Sequence, residues 1–273
     1  MKKFFCLRNI VITGSLVGIL GFLAFLWVDA FLNRNFRTTQ DQINTTEQVD
    51  VRGLHDLRAS GGAAVHFPDL KRRLSHIKGP KLILDGMTEY HGYIYGIPTT
   101  FLAYQAIKRY NWKYKLRRLM LTGTKELRKD LVTPEGEEAL KQGFAYVNLH
   151  PGSRFIPSHE KIDEIIQIFE SLPENTWIHF HCHHGKGRTS LMLVMFDIMK
   201  NAPLVSLKDI VKRHHLLGSE NLLDTTVWAR GSYTKEQLEK RRDFVSEFYD
   251  FICQRKAGGF QLWSEWKESK EKG

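Results

Sequence analysis

The stretch Trp177-Ile178-His179-Phe180-His181-Cys182-His183-His184-Gly185-Lys186-Gly187-Arg188-Thr189-Ser190, followed by the apolar run Leu191 to Met199, decides the fold. Trp177 to Phe180 is short, aromatic and preceded by the turn residues Pro173-Glu174-Asn175, so it reads as a buried strand. Leu191 to Met199 is apolar nearly all round, which predicts a buried helix opened by Arg188. Strand, tight loop and helix in that order aim successive backbone N–H groups and the positive end of a helix dipole at one point. An anion bound there is held by the main chain of residues 183 to 188.

The residue types in the loop supply chemistry. A free thiol titrates near about 8.5, and a helix N terminus beside cationic groups lowers that value. Cys182 is therefore placed to attack phosphorus. Five residues on, Arg188 offers a planar fork that matches two phosphoryl oxygens at once. Gly185 and Gly187 let the backbone wrap closely, and Thr189 brings a hydroxyl to the sulfur. His183, His184 and Lys186 add potential positive charge around the bound group.

This loop resembles the signature of the cysteine-dependent phosphatases, and other stretches are similar to one branch of them, the tyrosine-phosphatase-like phytases of bacteria. These stretches are Asn35-Phe36-Arg37-Thr38, Gly53 to Gly61, Leu84-Asp85-Gly86-Met87-Thr88-Glu89-Tyr90-His91-Gly92, Arg242 to Tyr249, and Gly259 to Trp266, all in the family's order. The resemblance implies an α/β fold: a tyrosine-phosphatase-like central sheet flanked by helices. It also implies substrate contacts from Arg37, Asp85 and His91. The sequence departs from the family in two places. The position of its acid, four residues before Pro157, holds Ser153, and Met87 stands where an arginine is expected. Serine is no proton donor at neutral pH. The substitutes are His150, nearest to that loop, then His159 and Glu160, or His183 and His184 within the phosphate loop.

Plainer readings stand beside these. His179, His181, Cys182, His183 and His184 could form a zinc site, although ligands crowded on one strand and loop converge poorly on a tetrahedral ion. Glu89 and His91 could be satisfied polar residues at a strand end, and Arg37 a positive flank of the apolar segment before it. Lys108 to Arg118, basic residues interleaved with Tyr110, Trp112 and Tyr114, reads as a solvated helix face and loop.

The 273 residues, 42% hydrophobic and 26% charged, suit one large globular domain. Ile10 to Val28 lacks any charge and follows Lys2, Lys3 and Arg8. At about 1.5 Å per residue it nearly spans a hydrocarbon core of about 30 Å, as a membrane anchor or a signal peptide. The expected division is 1–33 for this apolar helix and 34–273 for the catalytic domain. Either reading exports the domain, to the periplasm in a bacterium with two membranes. The cysteines form no disulfide framework, and Cys253 reads as a packed helix residue. Further elements are predicted as strands at Leu82 to Leu84 and Phe144 to Asn148, and helices from Lys161 to Glu170 and from Thr234 to about Lys256.

The formal charge of +10 favours a polyanionic substrate. No nucleic-acid motif accompanies it. The expected activity is two-step hydrolysis of phosphate monoesters through a phosphocysteine, without metal or other cofactor, on inositol polyphosphates as the resemblance implies. A tyrosine, dual-specificity or phosphoinositide phosphatase, and a polyphosphate-binding pseudophosphatase, are the alternatives.

Overall fold

The computed structural model describes residues 2–88, 91–98, 111–149, 156–227 and 233–272. Its centre is a five-stranded sheet in the order β1 (Arg37–Thr38), β2 (Ala59–Gly62), β7 (Trp177–His181), β3 (Lys81–Asp85), β6 (Ala145–Asn148). Only β1 runs antiparallel to its neighbour. Tyr93–Ile94 (β4) and Ile97–Pro98 (β5) form a separate small hairpin.

The middle strand β7 is buried at every position, as a parallel strand covered on both faces must be. Its alternation divides the core. Ile178 and Phe180, with Leu82 and Leu84 of β3, face the larger apolar cluster, formed with α5 (His159–Glu170), α6 (Gly187–Asn201), α7 (Leu207–Leu216), α8 (Lys235–Lys256) and α9 (Trp263–Lys272). Trp177 and Ile83 face the other side, against α2 (Phe67–Arg73) and Ala139 of α4 (Glu135–Lys141). His179, His181 and Asp85 share that second face by their period of two. A polar cluster is thereby assembled inside one layer.

The predicted elements recur with small changes at their ends. The helix expected from Lys161 begins at His159, because the Ser158 hydroxyl caps it by accepting from the Lys161 N–H. Thr234 and Gln237 close a reciprocal capping box at the start of α8, as the sequence pattern requires. Cys253 is half-buried on α8.

Helix α1 (Lys2–Trp27) contains a segment, Asn9–Trp27, long and apolar enough to cross a membrane. Its end is built into the rest of the fold. Leu26, Ala30 and Asn33 are buried, and Asn33 bonds Asp69 and the His66 backbone. Structural contact with the globular part thus starts before the boundary at residue 34. Helix α3 (Asn111–Thr122) lies against this end of α1. It corrects the expectation of a solvated basic face, since Lys113, Arg117 and Arg118 are buried while Trp112, Leu119 and Met120 are exposed.

Candidate active site

The loop from Cys182 to Lys186 is shaped by where its carbonyls go. The His183 carbonyl accepts from Ala64 N at 3.4 Å, His184 from Asn35 Nδ2 at 2.7 Å, Gly185 from Arg37 Nη1 at 2.9 Å, and Lys186 from Ser190 N at 2.8 Å. In a trans peptide the C=O and the following N–H point in opposite directions. Four successive carbonyls drawn into the scaffold therefore turn the N–H groups of residues 184 to 187 the other way, as an anion-binding concavity requires. Gly185 makes this course possible: its φ is +70°, and a Cβ there would lie 2.4 Å from Ala63 N.

Cys182 sits at the start of the loop, 3% exposed. The Thr189 hydroxyl, in the first turn of α6, is 3.1 Å from Cys182 Sγ and 3.2 Å from the Gly62 carbonyl. Its single proton serves one acceptor at a time, and a thiolate is the stronger one. Arg188 is held by a 2.9 Å bond from Nη1 to the Gly86 carbonyl, and the Gly86 N–H bonds the His181 carbonyl at 2.9 Å. One peptide segment just past β3 thus fixes both the strand that delivers Cys182 and the Arg188 side chain. Lys186 is exposed, with Nζ 3.7 Å from Glu220.

Arg37, expected at the substrate, lies beneath the loop. It is 4% exposed, and its guanidinium donates to Ser219 Oγ, the Asn35 and Gly185 carbonyls and Ser190 Oγ. Burial lowers its pKa to about 10, against the favourable charges of Cys182 and Glu220. These bonds make it a strut under the phosphate loop, more than a positive flank of the apolar segment.

Asp85 and His91, also expected at the substrate, belong to the interior cluster. His91 Nε2 lies 2.8 Å from Asp85 Oδ2 and 2.7 Å from Glu135 Oε2, with His181 Nε2 at 3.4 and 3.5 Å from the other oxygens of the same carboxylates. Asp85 further accepts from Met87 N, Tyr146 and Asn148, and Glu135 from Tyr93. Burial opposes charge on His91, but hydrogen bonds and the charges of Asp85 and Glu135 outweigh it and raise its pKa to about 11. Burial likewise opposes charge on Asp85, and His181 and His91 hold its pKa below the ordinary value. The donor atoms of Asp85, Glu135 and His181 lie within 4.8 Å of one another, the reach of a shared cation. The imidazole between the carboxylates and the four neutral donors make the cluster an ion-pair network instead.

The histidines weighed as zinc ligands diverge. His179 pairs with Ser60 Oγ at 2.9 Å, His181 faces Asp85 and Glu135, and His183 and His184 stack on each other at 4.3 Å. His150, Ser153 and Glu89 lie outside the described residues. Of the other substitute acids, His159 packs edge-on against Trp263. Glu160 is held below the usual carboxylate range by hydrogen bonds to its backbone and to Ser158, which suits an ion better than an acid. Sequence reasoning missed Glu135, Ser219 and Tyr233. Tyr233 closes one side of the loop, since a Cβ on Gly187 would lie 2.5 Å from its hydroxyl. None of the three carries a local signal, because each reaches the site from a distant element.

Sheet, loop and helix define the architecture of the cysteine-dependent phosphatases. A family model for protein-tyrosine-phosphatase-like phytase, described as "Inositol hexakisphosphate", matches residues 135–200. The uncharacterized protein AvrBs1.1 of Xanthomonas campestris pv. campestris is 35% identical over 89 residues, which are 33% of this chain and 86% of that protein. The PTP-like myo-inositol phosphatase of Mitsuokella multacida, solved with myo-inositol-(1,3,4,5)-tetrakisphosphate, is similar with a TM-score of 0.68 and 27% identity over 87% of this chain and 47% of its own. The PTP-like phytase of Bdellovibrio bacteriovorus gives 0.61 and 27% over 87% and 91%. Residues 135–200 thus match the protein-tyrosine-phosphatase-like phytase family, and the fold over 87% of the chain is similar to that of PTP-like phytases. The chain spans about half the length of the Mitsuokella protein.

Proposed function

We propose that the protein is a cysteine-dependent phosphatase that releases phosphate from inositol polyphosphates. The observation that carries this reading is the set of four loop carbonyls tied into the scaffold around a buried Cys182 whose sulfur meets Thr189. In the first step the Cys182 thiolate attacks phosphorus, an S–P bond forms, and the O–P bond to the inositol oxygen breaks. Arg188 and the N–H groups of residues 183 to 188 hold the phosphoryl oxygens as charge redistributes over them. In the second step water attacks the phosphocysteine, inorganic phosphate leaves, and the sulfur departs as a thiolate that accepts the Thr189 proton bond. His150 is the group proposed to protonate the leaving oxygen.

A substrate carrying several phosphates suits the exposed Lys186, the paired His183 and His184, and the net charge of +10. It is also the chemistry of the inositol tetrakisphosphate named for the Mitsuokella complex. Ser153 at the family's acid position favours a second reading, aryl phosphates such as phosphotyrosine. A phenol of pKa about 10 leaves with less protonation than an inositol hydroxyl. With Lys2, Lys3 and Arg8 kept on the cytoplasmic side, the domain from residue 34 onward lies across the membrane.

Phosphate release from inositol hexakisphosphate and from a phosphotyrosine peptide, beside the Cys182→Ser variant, tests both readings. Release from the inositol substrate that vanishes with Cys182→Ser is the expected result. Release from the peptide alone selects the second reading, and release from neither leaves a binding module.

A further inference from the structure

Helix α3 is built with its polarity reversed. In a helix of a water-soluble surface the basic side chains face out and the apolar ones pack in. Here Met120 is 50% and Trp112 49% exposed, with Leu119 beside them, while Arg117 is 0% exposed. Two of the inward basic groups, Arg117 and Lys113, are engaged by the end of α1. The Arg117 Nε donates to the Leu26 carbonyl, satisfying a C-terminal acceptor of α1. Its guanidinium lies over the Trp27 ring at 5.7 Å, and Lys113 Nζ sits 4.5 Å over Phe25.

The outward apolar face does not stand alone. Phe22 and Phe25 of α1 stack on Trp112 at 6.4 and 6.2 Å, so the exposed surface of α3 continues into the Asn9–Trp27 segment, which is 6% buried. Water is a poor solvent for a continuous apolar surface of this extent. A bilayer covers both parts: α1 has the length to enter it, and a helix with tryptophan on its apolar side and Lys115 exposed beside it suits the headgroup boundary.

We propose that α3 lies in the headgroup layer of the bilayer that α1 enters. The two helices then seat the protein as one unit, and α1 is kept in the working protein because its last turn belongs to the fold. This inference goes beyond the phosphatase reading and is independent of it.

The test uses the full chain with Cys6, Cys182 and Cys253 changed to Ser, expressed in membranes and reconstituted in vesicles of phosphatidylcholine and phosphatidylglycerol. A nitroxide is attached at Met120→Cys or, for comparison, at Leu204→Cys, an exposed position between α6 and α7. Collision with oxygen reports lipid, and collision with a water-soluble nickel chelate reports solvent. At Met120 the label should lose nickel broadening and keep oxygen broadening; at Leu204 it should keep nickel broadening. Nickel access at Met120 equal to that at Leu204 overturns the proposal. So does shielding from both reagents, which marks a protein partner or a second copy. The mass of the native-cysteine protein recovered from membranes should include α1, and a chain beginning after Ala30 overturns the proposal as well. Loss of activity through Cys182→Ser leaves these readouts intact.

Discussion

The Thr189 hydroxyl, 3.1 Å from Cys182 Sγ, matters most when the sulfur bears charge. Its removal should therefore slow the step in which the thiolate leaves. Thr189→Val is expected to lower turnover by about 10 to 100-fold, from a charged hydrogen bond of about 1.5–3 kcal/mol. The phosphocysteine should accumulate, visible as a larger burst of alcohol product in rapid quench. An unchanged burst with slower turnover would assign Thr189 to the first step instead. Arg37→Met strips donors from the Asn35 and Gly185 carbonyls and from Ser219 and Ser190. Unfolding in urea should show a loss of about 2–4 kcal/mol, as each buried group left unmet costs about 1–3, and phosphate affinity should fall with it. The nucleophile and its arginine were legible in the sequence because they are local: loop, cap and helix start follow one another. Arg37 was found by resemblance, as a substrate contact; its bonds to Gly185, Ser190 and Ser219, 148, 153 and 182 positions away, add a strut's part that no local pattern could show.

Between elements, β2 and α6 meet through a glycine. A Cβ on Gly61 would stand 2.7 Å from Leu193 Cδ1 and 2.8 Å from Thr189 Cγ2. Gly61→Ala should thus cost about 1–3 kcal/mol of stability by overpacking. It should also cost activity, because the displaced side chain is the one that holds its hydroxyl at the sulfur. Urea midpoints and phosphate release measured on the same preparation check the pair, and a variant less stable yet fully active would separate packing from function. Strands β7 and β3 and helices α5, α6 and α8 were readable, since a period of two, an apolar run or a capping box marks each. The pairs β1 and β2 were not: Ala59-Ser60-Gly61-Gly62 has almost no side chain to read, and its place beside β7 depends on distant pairing. The basic face of α3 was misread because charge alone does not tell which side of a helix meets protein.

At the scale of the whole molecule, the cluster of Asp85, His91, Glu135 and His181 ties β3, β7 and α4 to the segment before β4. The pKa of His91 is raised to about 11 in the fold, against an ordinary value near 6.5 in the unfolded chain. A raised histidine binds its proton more tightly when folded, so its contribution is fully present below pH about 6.5 and declines as pH rises toward its folded value. His91→Gln should flatten the fall of Tm between pH 7 and 10 relative to the parent protein. Parallel curves for the two proteins would remove His91 from the account. The phosphate loop carries a different consequence. Its His184 and Gly185 carbonyls are held by Asn35 and Arg37, 149 and 148 positions away in the chain. A protease that cuts between Thr38 and Ala59 leaves Cys182, Arg188 and Thr189 together on one fragment, yet separates them from the two residues that shape their loop. Activity then reports the continuity of the chain: such a nick silences the larger piece once the N-terminal piece dissociates, and adding that piece back should restore it.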